Sequence, residues 1–261
     1  MKPVTSNLQP VSNIYCLKSN IYLLPNPYFQ FKQFTIHHDR CSMKVTTDSC
    51  LFGAWAANDI KTTGVPLNIL DIGSGSGLLS LMLAQQTSGS IDGIELQQND
   101  HQQSIQNISA SPFFNRVQVF NADAQSFGYT KKYDIVISNP PFYESDLKSS
   151  IKGKNIAHHD DGLKLDGLIP LIEKLLQPSG NFYILLPAKR QQELQHIITG
   201  GHLFINQAVF VRQTHNHAPF RIMLKGSFNK TGMTSSEIVI KKNNVYTNEF
   251  ARLLQPYYLN I

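Results

Sequence analysis

Cysteine is scarce in this sequence: Cys16, Cys41 and Cys50 are the three residues of this type among 261. No two of them form a Cys-x-x-Cys pair, and their number is odd. A disulfide scaffold and a zinc site built from cysteine ligands are therefore not expected. The nine histidines form no His-Glu-x-x-His motif and show no ligand spacing on one helix face. We predict no metal, and expect these histidines to be solvated loop residues or contacts to a binding partner.

Long apolar runs are also lacking. No stretch approaches the roughly 18 residues that a membrane-spanning helix requires, and the N-terminal segment has no continuous apolar core of the signal-peptide type. Residues 1–28 contain four prolines and several Asn and Ser residues, which predicts a poorly ordered leader. A reducing, cytoplasmic location without a membrane partner is expected.

Charge of either sign is moderate, but it is unevenly distributed along the chain. The sequence has 23 Lys and Arg against 18 Asp and Glu, a net charge of +5. Basic and acidic residues are equal in number, nine of each, up to Tyr143, whereas fourteen basic residues face nine acidic ones after it. A positive surplus in one part of the chain suggests a polyanionic partner such as RNA.

Strands and helices alternate in the middle of the chain. Apolar strand patterns occupy residues 67–72, 90–96, 117–122, 133–138 and 181–187, and helical patterns occur between several of them. Continuous apolar strands separated by helices predict a mostly parallel sheet covered by helices on both faces. The segments FINQAVFVRQ and FRIMLKGSF are joined by a link too short for a helical crossover, which predicts an antiparallel pair.

The predicted fold class is therefore α/β of the Rossmann-like type, with a mostly parallel seven-stranded sheet and an antiparallel last strand. The alternating segment FQFKQFTI predicts one further half-buried strand, and Trp55 is expected in the core of a short apolar helix. We expect residues 29–261 to form a single domain.

A glycine-rich loop follows the first strand of the alternating region. In Asp71-Ile72-Gly73-Ser74-Gly75-Ser76-Gly77, glycine permits a sharp turn and close approach of a ligand to the backbone. Glu95 ends the next strand, about 20 residues on, where a carboxylate can accept ribose hydroxyls; Asp123 follows the third strand and can meet an adenine amino group. The motif by itself fits NAD, S-adenosylmethionine or a tight turn without a ligand. Asp71 favours S-adenosylmethionine, because a carboxylate attracts a sulfonium and repels a pyrophosphate.

The fourth strand ends in Asn139-Pro140-Pro141-Phe142, and this motif indicates the chemistry. The two prolines end the strand and fix the backbone. The Asn139 side-chain carbonyl and the Pro140 main-chain carbonyl can then accept both hydrogens of an amino group and stabilise the positive charge that develops on its nitrogen during methyl transfer. Phe142 can stack on the base. A simple turn that ends a strand is the alternative interpretation.

These motifs, in this order, resemble class I S-adenosylmethionine-dependent methyltransferases that methylate nitrogen. The segment FKQFTIHHDRCSMKVTTDSCLFGAWA narrows the resemblance to the bacterial tRNA1(Val) (adenine(37)-N6)-methyltransferase family, from about Phe29 to the closing FARLLQPYYL. The resemblance implies a Rossmann-like methyltransferase fold, S-adenosylmethionine as cofactor, and N6-methylation of the adenine beside the anticodon of a valine tRNA. Residues 29–66 would then be a segment that covers the cofactor.

Site residues follow from the resemblance by position. Cofactor contacts are implied for Lys44, Thr47, Asp48, Asp71, Gly73, Gly75, Glu95, Asp123 and Asn139. The target base is implied to bind Asn139, Pro140 and Phe142. The chain departs from the family pattern at Thr46, where Gly is usual, and at Phe142, where Tyr also occurs.

Basic residues after the Asn-Pro-Pro-Phe motif are candidate RNA contacts. They are Lys148, Lys152 and Lys154 in a polar loop, and Arg212 and Arg221 on either side of a His-rich link. A solvated charged loop and edge-strand charges that prevent aggregation are the alternatives.

The hypothesis from sequence is an RNA adenine N6-methyltransferase that acts on a tRNA anticodon loop. A guanine-N2 rRNA methyltransferase and a protein glutamine N5-methyltransferase remain alternatives, because both use related Asn-Pro-Pro motifs. A catalytically silent RNA-binding module is disfavoured, since Asn139 and the complete glycine loop are present.

Overall fold

The structure is a computed structural model that describes residues 26–60, 64–141 and 163–261. The N-terminal described part contains β1 (Tyr28–Gln30), β2 (Thr35–His37) and α1 (Thr47–Ile60). The alternating region contains β3 (Asn68–Ile72), α2 (Leu78–Gln86), β4 (Ser90–Glu95), α3 (Gln98–Ser109), β5 (Val117–Asn121), β6 (Tyr133–Ser138), α4 (Leu165–Leu175), β7 (Leu176–Pro187) and α5 (Gln191–Thr199). The C-terminal part contains β8 (Phe204–Arg212), β9 (Arg221–Ser227), β10 (Thr234–Val239), β11 (Lys241–Lys242), β12 (Val245–Tyr246) and α6 (Asn248–Leu254).

One eight-stranded sheet runs through the described residues in the order β10-β8-β9-β7-β6-β3-β4-β5. The α/β fold class is confirmed, and so is the antiparallel pairing of β8 with β9. The strand number was wrong by one, and the antiparallel strand is not the last. β9 runs antiparallel to both β7 and β8, and the short connection after it reverses the chain again, so that β10 adds to the outer edge of β8 in parallel. α5 was also not predicted.

Apolar side chains on successive strand residues fill two cores, one on each face of the sheet. Ile69 and Ile137 face the core formed with α1, α2 and α6, whereas Leu70 and Val136 face the core formed with α4 and α5. This alternation follows from the two-residue period of a strand. Trp55 is 7% exposed in the first core, as predicted.

The segment predicted as one strand, FQFKQFTI, is instead the β1–β2 hairpin. Phe31 N–H donates to the Phe34 carbonyl at 2.8 Å, and the two rings stack at a centroid distance of 4.6 Å. Because Lys32 and Gln33 occupy the turn, the alternation of apolar and polar residues continues through a reversal of chain direction. Phe31 bridges to Tyr258, so the hairpin packs on the C-terminus.

The order of the strands creates the place for a ligand. After β3 the chain builds outward to β4 and β5, and then returns to the other side of β3 with β6 and β7. The carboxyl ends of β3 and β6 therefore meet at a switch point, where open α/β sheets bind ligands. No helix in the described ranges is long and apolar enough to cross a membrane.

Candidate active site

The glycine loop turns sharply from β3 into α2. Gly73, Gly75 and Gly77 have φ values of 74°, 54° and 82°, which is left-handed backbone that side chains with a Cβ rarely adopt. The N–H groups of Gly73 and Ser74 donate to the Ile94 carbonyl at 2.9 and 3.1 Å. The loop is therefore anchored on the end of β4, and its remaining amides lie beside the cavity described below.

Glu95 ties the glycine loop to the start of α3. Its Oε2 accepts a hydrogen bond from Gly75 N–H at 2.8 Å, and its Oε1 accepts one from Gln97 N–H at 2.8 Å. Burial raises the pKa of Glu95, while these two backbone donors act against that rise. Each carboxylate oxygen thus keeps acceptor capacity for a hydroxyl in the cavity.

Asp71 lies beneath the loop and is fully buried. Its Oδ2 accepts a hydrogen bond from Ser80 Oγ at 2.7 Å, and its Oδ1 has no partner among the described residues. Burial raises the pKa of Asp71 to about 7. Asp71 does not itself line the cavity, so its implied contact with the cofactor stays a prediction.

A cavity of about 1520 Å³ opens along the carboxyl ends of β3, β4, β5 and β6. It brings together seven of the predicted cofactor and base contacts, which are Lys44, Gly73, Gly75, Glu95, Asp123, Asn139 and Pro140. Sequence reasoning missed Met43 and Leu96, which also line it and are 44% and 45% exposed. Such large apolar side chains offer contact surfaces to a flat ligand. Their positions in the sequence, directly before Lys44 and directly after Glu95, could have indicated that they line the site.

Two other predicted cofactor contacts, Thr47 and Asp48, do not line the cavity. Thr47 begins α1 and is exposed, and Asp48 follows it. Asp48 Oδ2 accepts a hydrogen bond from Arg221 Nε at 2.7 Å, and Arg221 lines the cavity. Arg221, predicted as an RNA contact, therefore joins the start of β9 to the start of α1.

The Asn139 corner is held by the neighbouring strand. Ser138 Oγ donates to the Ile72 carbonyl at 2.8 Å, which joins the end of β6 to the end of β3. Asn139 Oδ1 is buried and accepts no hydrogen bond from the described residues. Pro140 is buried beside it. Asn139 and both prolines line the cavity, so an acceptor to which no described residue donates fits an incoming N–H group there.

Several predicted residues lie outside the described ranges. These are the leader up to residue 25, Cys16, and the base-stacking and basic candidates Phe142, Lys148, Lys152 and Lys154. Arg212 is described: it pairs with Glu237 and donates to the His217 carbonyl. In the described part of the chain, no three His, Cys, Asp or Glu residues are grouped as a metal site requires.

Comparison with known proteins gives the family. Residues 58–199 match the model of the methyltransferase small domain. A tRNA1(Val) (adenine(37)-N6)-methyltransferase of Phocaeicola vulgatus is 36% identical over 91% of this chain and 100% of its own length. A protein of the same name from Dyadobacter fermentans is 36% identical over 90% and 98%. The chain belongs to this methyltransferase family. The resemblance to this family that the sequence motifs indicated is confirmed.

Solved structures confirm the methyltransferase fold. A predicted O-methyltransferase of Agrobacterium tumefaciens superposes with a TM-score of 0.61 at 14% identity, over 82% of this chain and 99% of that one. A ribosomal protein L11 methylase of Lactobacillus delbrueckii superposes with a TM-score of 0.53 at 14% identity, over 74% and 83%. These methyltransferases differ in their named substrates, so the fold alone does not select one for this chain.

The residues of the cavity fit S-adenosylmethionine, the methyl donor that this family and fold imply. Besides Asn139 Oδ1, the buried Ser74 Oγ has no partner among the described residues, and Ser74 also lines the cavity. Four carboxylates line the cavity, those of Glu95, Asp100, Asp123 and Asp166. Buried acceptors beside carboxylates suit a ligand with an ammonium, a sulfonium and ribose hydroxyls.

Proposed function

We propose that this enzyme methylates N6 of adenine 37 in the anticodon loop of tRNA1(Val), the reaction for which its relatives are named. The observation that carries the proposal is Asn139 Oδ1 at the end of β6, a buried acceptor to which none of the described residues donates. It lines the same cavity as the glycine loop. A methyl donor and the amino group that receives the methyl can therefore meet in this cavity.

The half of the cavity at β3, β4 and β5 would hold the cofactor. The backbone of Gly73 and Gly75 would lie against its methionine part, Glu95 would accept from the ribose hydroxyls, and Asp123 from the adenine amino group. Lys44 Nζ donates to the His38 and Asp39 carbonyls at 2.6 and 3.2 Å. These bonds fold residues 38–44 into a compact turn, and Ser42 N–H donates to Asp100 Oδ1 at 2.9 Å, with both residues at the cavity. Residues 42–45 therefore lie beside the cavity, in line with the proposal that residues 29–66 cover the cofactor.

When bound, S-adenosylmethionine would supply an electrophilic methyl group. The protein positions the nucleophile: Asn139 Oδ1 and the Pro140 carbonyl would accept the two N6 hydrogens of adenine. This arrangement directs the nitrogen lone pair away from the ring plane and stabilises the positive charge that forms on N6. A nitrogen with four substituents is strongly acidic, so its proton leaves to water without a strong base from the protein.

An anticodon-loop adenine suits this corner because it is already unpaired. Rotation of such a base into a pocket costs less than extraction from a duplex. That the partner is tRNA, that it is a valine tRNA, and that the enzyme is a cytoplasmic single domain over residues 29–261 stay predictions.

The test uses labelled S-adenosylmethionine and total tRNA from a strain without the modification, followed by digestion to nucleosides. We expect the label in N6-methyladenosine, and in tRNA1(Val) after hybrid selection. A tRNA1(Val) transcript with guanine at position 37 is the matched control and takes up no label. Label in guanosine would favour the rRNA-type alternative, and label only in protein would favour glutamine methylation; either result rejects the proposal.

A further inference from the structure

Charge divides the carboxyl edge of the sheet into two halves. Acidic residues mark the half formed by β3, β4 and β5: Asp71, Glu95, Asp100 and Asp123. Three of them line the cavity, as does Lys44. These carboxylates attract a cationic cofactor and repel a phosphodiester chain.

The other half, formed by β7, β8, β9 and β10, is basic. Because β9 runs antiparallel, its first residue lies at the same edge as the last residues of β7 and β8. The basic residues at these strand ends are Lys189, Arg190, Arg212, Arg221, Lys241 and Lys242. The acidic partners there are Glu193, Glu237 and Asp48, which pair with the three arginines. Besides these three ion pairs, the described strand ends carry the positive charges of Lys189, Lys241 and Lys242.

The β11–β12 hairpin extends this basic half beyond the sheet. Asn243 and Asn244 form its turn with φ values of 50° and 62°, and Lys241 Nζ lies 5.0 Å from the centroid of the Tyr246 ring. Lys241 N–H donates to the Gln213 carbonyl at 3.0 Å. The hairpin therefore adjoins residues 213–219, whose His215 and His217 are exposed.

We propose that this basic edge, defined as Lys189, Arg212, Arg221, Lys241 and Lys242, binds the phosphodiester backbone of the RNA that flanks the target nucleotide. The inference rests on the proposed function and specifies how its substrate lies on the protein. Asn139, at the end of β6, stands at the boundary of the two halves. With about 4.8 Å between neighbouring strands, the basic edge extends about 19 Å from β6 to β10, enough for several nucleotides beside the flipped adenine.

Two matched double variants test the proposal. Lys241→Gln with Lys242→Gln removes two charges from the basic edge. Lys132→Gln with Lys230→Gln removes two charges from the opposite, amino edge, where Lys132 precedes β6 and Lys230 follows β9. Each double variant removes one lysine that contacts an aromatic ring. Lys230 Nζ lies 5.8 Å from the Phe204 ring centroid, and Lys241 Nζ lies over the Tyr246 ring.

Binding of a fluorescent tRNA1(Val) anticodon stem-loop is measured by anisotropy at several salt concentrations. For the basic-edge variant we expect the slope of log K against log salt to fall by about 1 to 2, and Kd to rise about tenfold near physiological salt. KM for the stem-loop rises while kcat holds, because the contact positions the RNA equally in ground and transition states. Binding of S-adenosylhomocysteine, measured by calorimetry, is unchanged. The amino-edge variant behaves as the wild type.

An unchanged salt slope in the basic-edge variant overturns the proposal, and so does an equal loss in both double variants. If the wild type binds no stem-loop, the basic edge is rejected as well. If the wild type binds the stem-loop through the basic edge but places no methyl group on adenine 37, the proposed function fails while the surface stands. If circular dichroism shows that the double variant is less folded, Lys242→Gln alone is tested, because Lys242 is exposed. We then expect half the change in salt slope that is expected for the double variant, and an unchanged slope overturns the proposal.

Discussion

Ser138 and Ile72, 66 residues apart, are joined at the active site: the Ser138 hydroxyl donates to the Ile72 carbonyl at 2.8 Å. The bond connects the strand that ends in the Asn139 corner to the strand that leads into the glycine loop. The two halves of the proposed chemistry, the acceptor for the amino group and the loop beside the methyl donor, are thereby held in one arrangement.

Replacement of Ser138 by Ala should loosen this arrangement. Because a buried hydrogen bond is lost, we expect the free energy of unfolding to fall by about 1 kcal/mol. We also expect kcat to fall more than tenfold, since small misplacements of reacting groups are costly. Ser138→Thr, which keeps the hydroxyl, is the control. If Ala and wild type turn over alike, the bond has no positioning role.

Asn139→Ala should stop turnover while the cofactor half stays intact. The lost acceptor stabilises charge that develops on N6, so we expect kcat to fall by about 10² to 10³. Binding of S-adenosylhomocysteine, measured by calorimetry, should change little. A variant that keeps wild-type kcat would contradict the assigned role of Asn139.

Glu95→Gln should weaken the glycine loop. The carboxylate accepts from Gly75 and Gln97 at once, whereas an amide presents an NH₂ group to one of these two donors. We expect S-adenosylhomocysteine affinity to fall at least tenfold and the free energy of unfolding to fall by about 1 to 3 kcal/mol. Gln98→Glu, a neighbouring change outside this network, is the control. Equal affinity in Glu95→Gln and wild type would count against the role of the carboxylate.

Asp71 should make the stability of the ligand-free enzyme depend on pH. Burial raises its pKa from 3.8 to about 7, so the folded state holds a proton that the unfolded state releases. The contribution of this proton to the free energy of unfolding is fully present below pH 3.8, decreases as the pH rises, and is lost above about pH 7. Asn cannot ionise, so the melting temperature of Asp71→Asn should exceed that of wild type by a margin that grows up to about pH 7 and then levels. A margin that is constant from pH 5 to 8 would show that Asp71 ionises normally.

The residues of the candidate site that lie at the ends of strands could be predicted from the sequence. Gly73, Glu95, Asp123 and Asn139 each come at the end of a strand or directly after it, and parallel strands bring their carboxyl ends to one edge. The cavity accordingly collects all four. Asp71 also follows this logic, but its carboxylate is turned beneath the loop toward Ser80 rather than into the cavity.

Contacts between distant segments could not be read in this way. Asp48 and Arg221 are 173 residues apart, and nothing in the residues around either one indicates that they pair. The pair exists because β9 enters the sheet beside β7 and starts at its carboxyl edge. The same holds for Met43, whose neighbour Ser42 is hydrogen-bonded through its N–H to Asp100 Oδ1, 58 residues away.

The sequence by itself determined the α/β class, the glycine loop and the Asn139 corner, because apolar periodicity and turn-forming residues act over a few neighbouring positions. Only the tertiary structure decided that FQFKQFTI folds into a hairpin, that an eighth strand joins the edge, and that basic residues from β7 to β11 form one surface. These features depend on strand order and direction, which are set by pairing free energies summed over the whole sheet rather than by any local pattern.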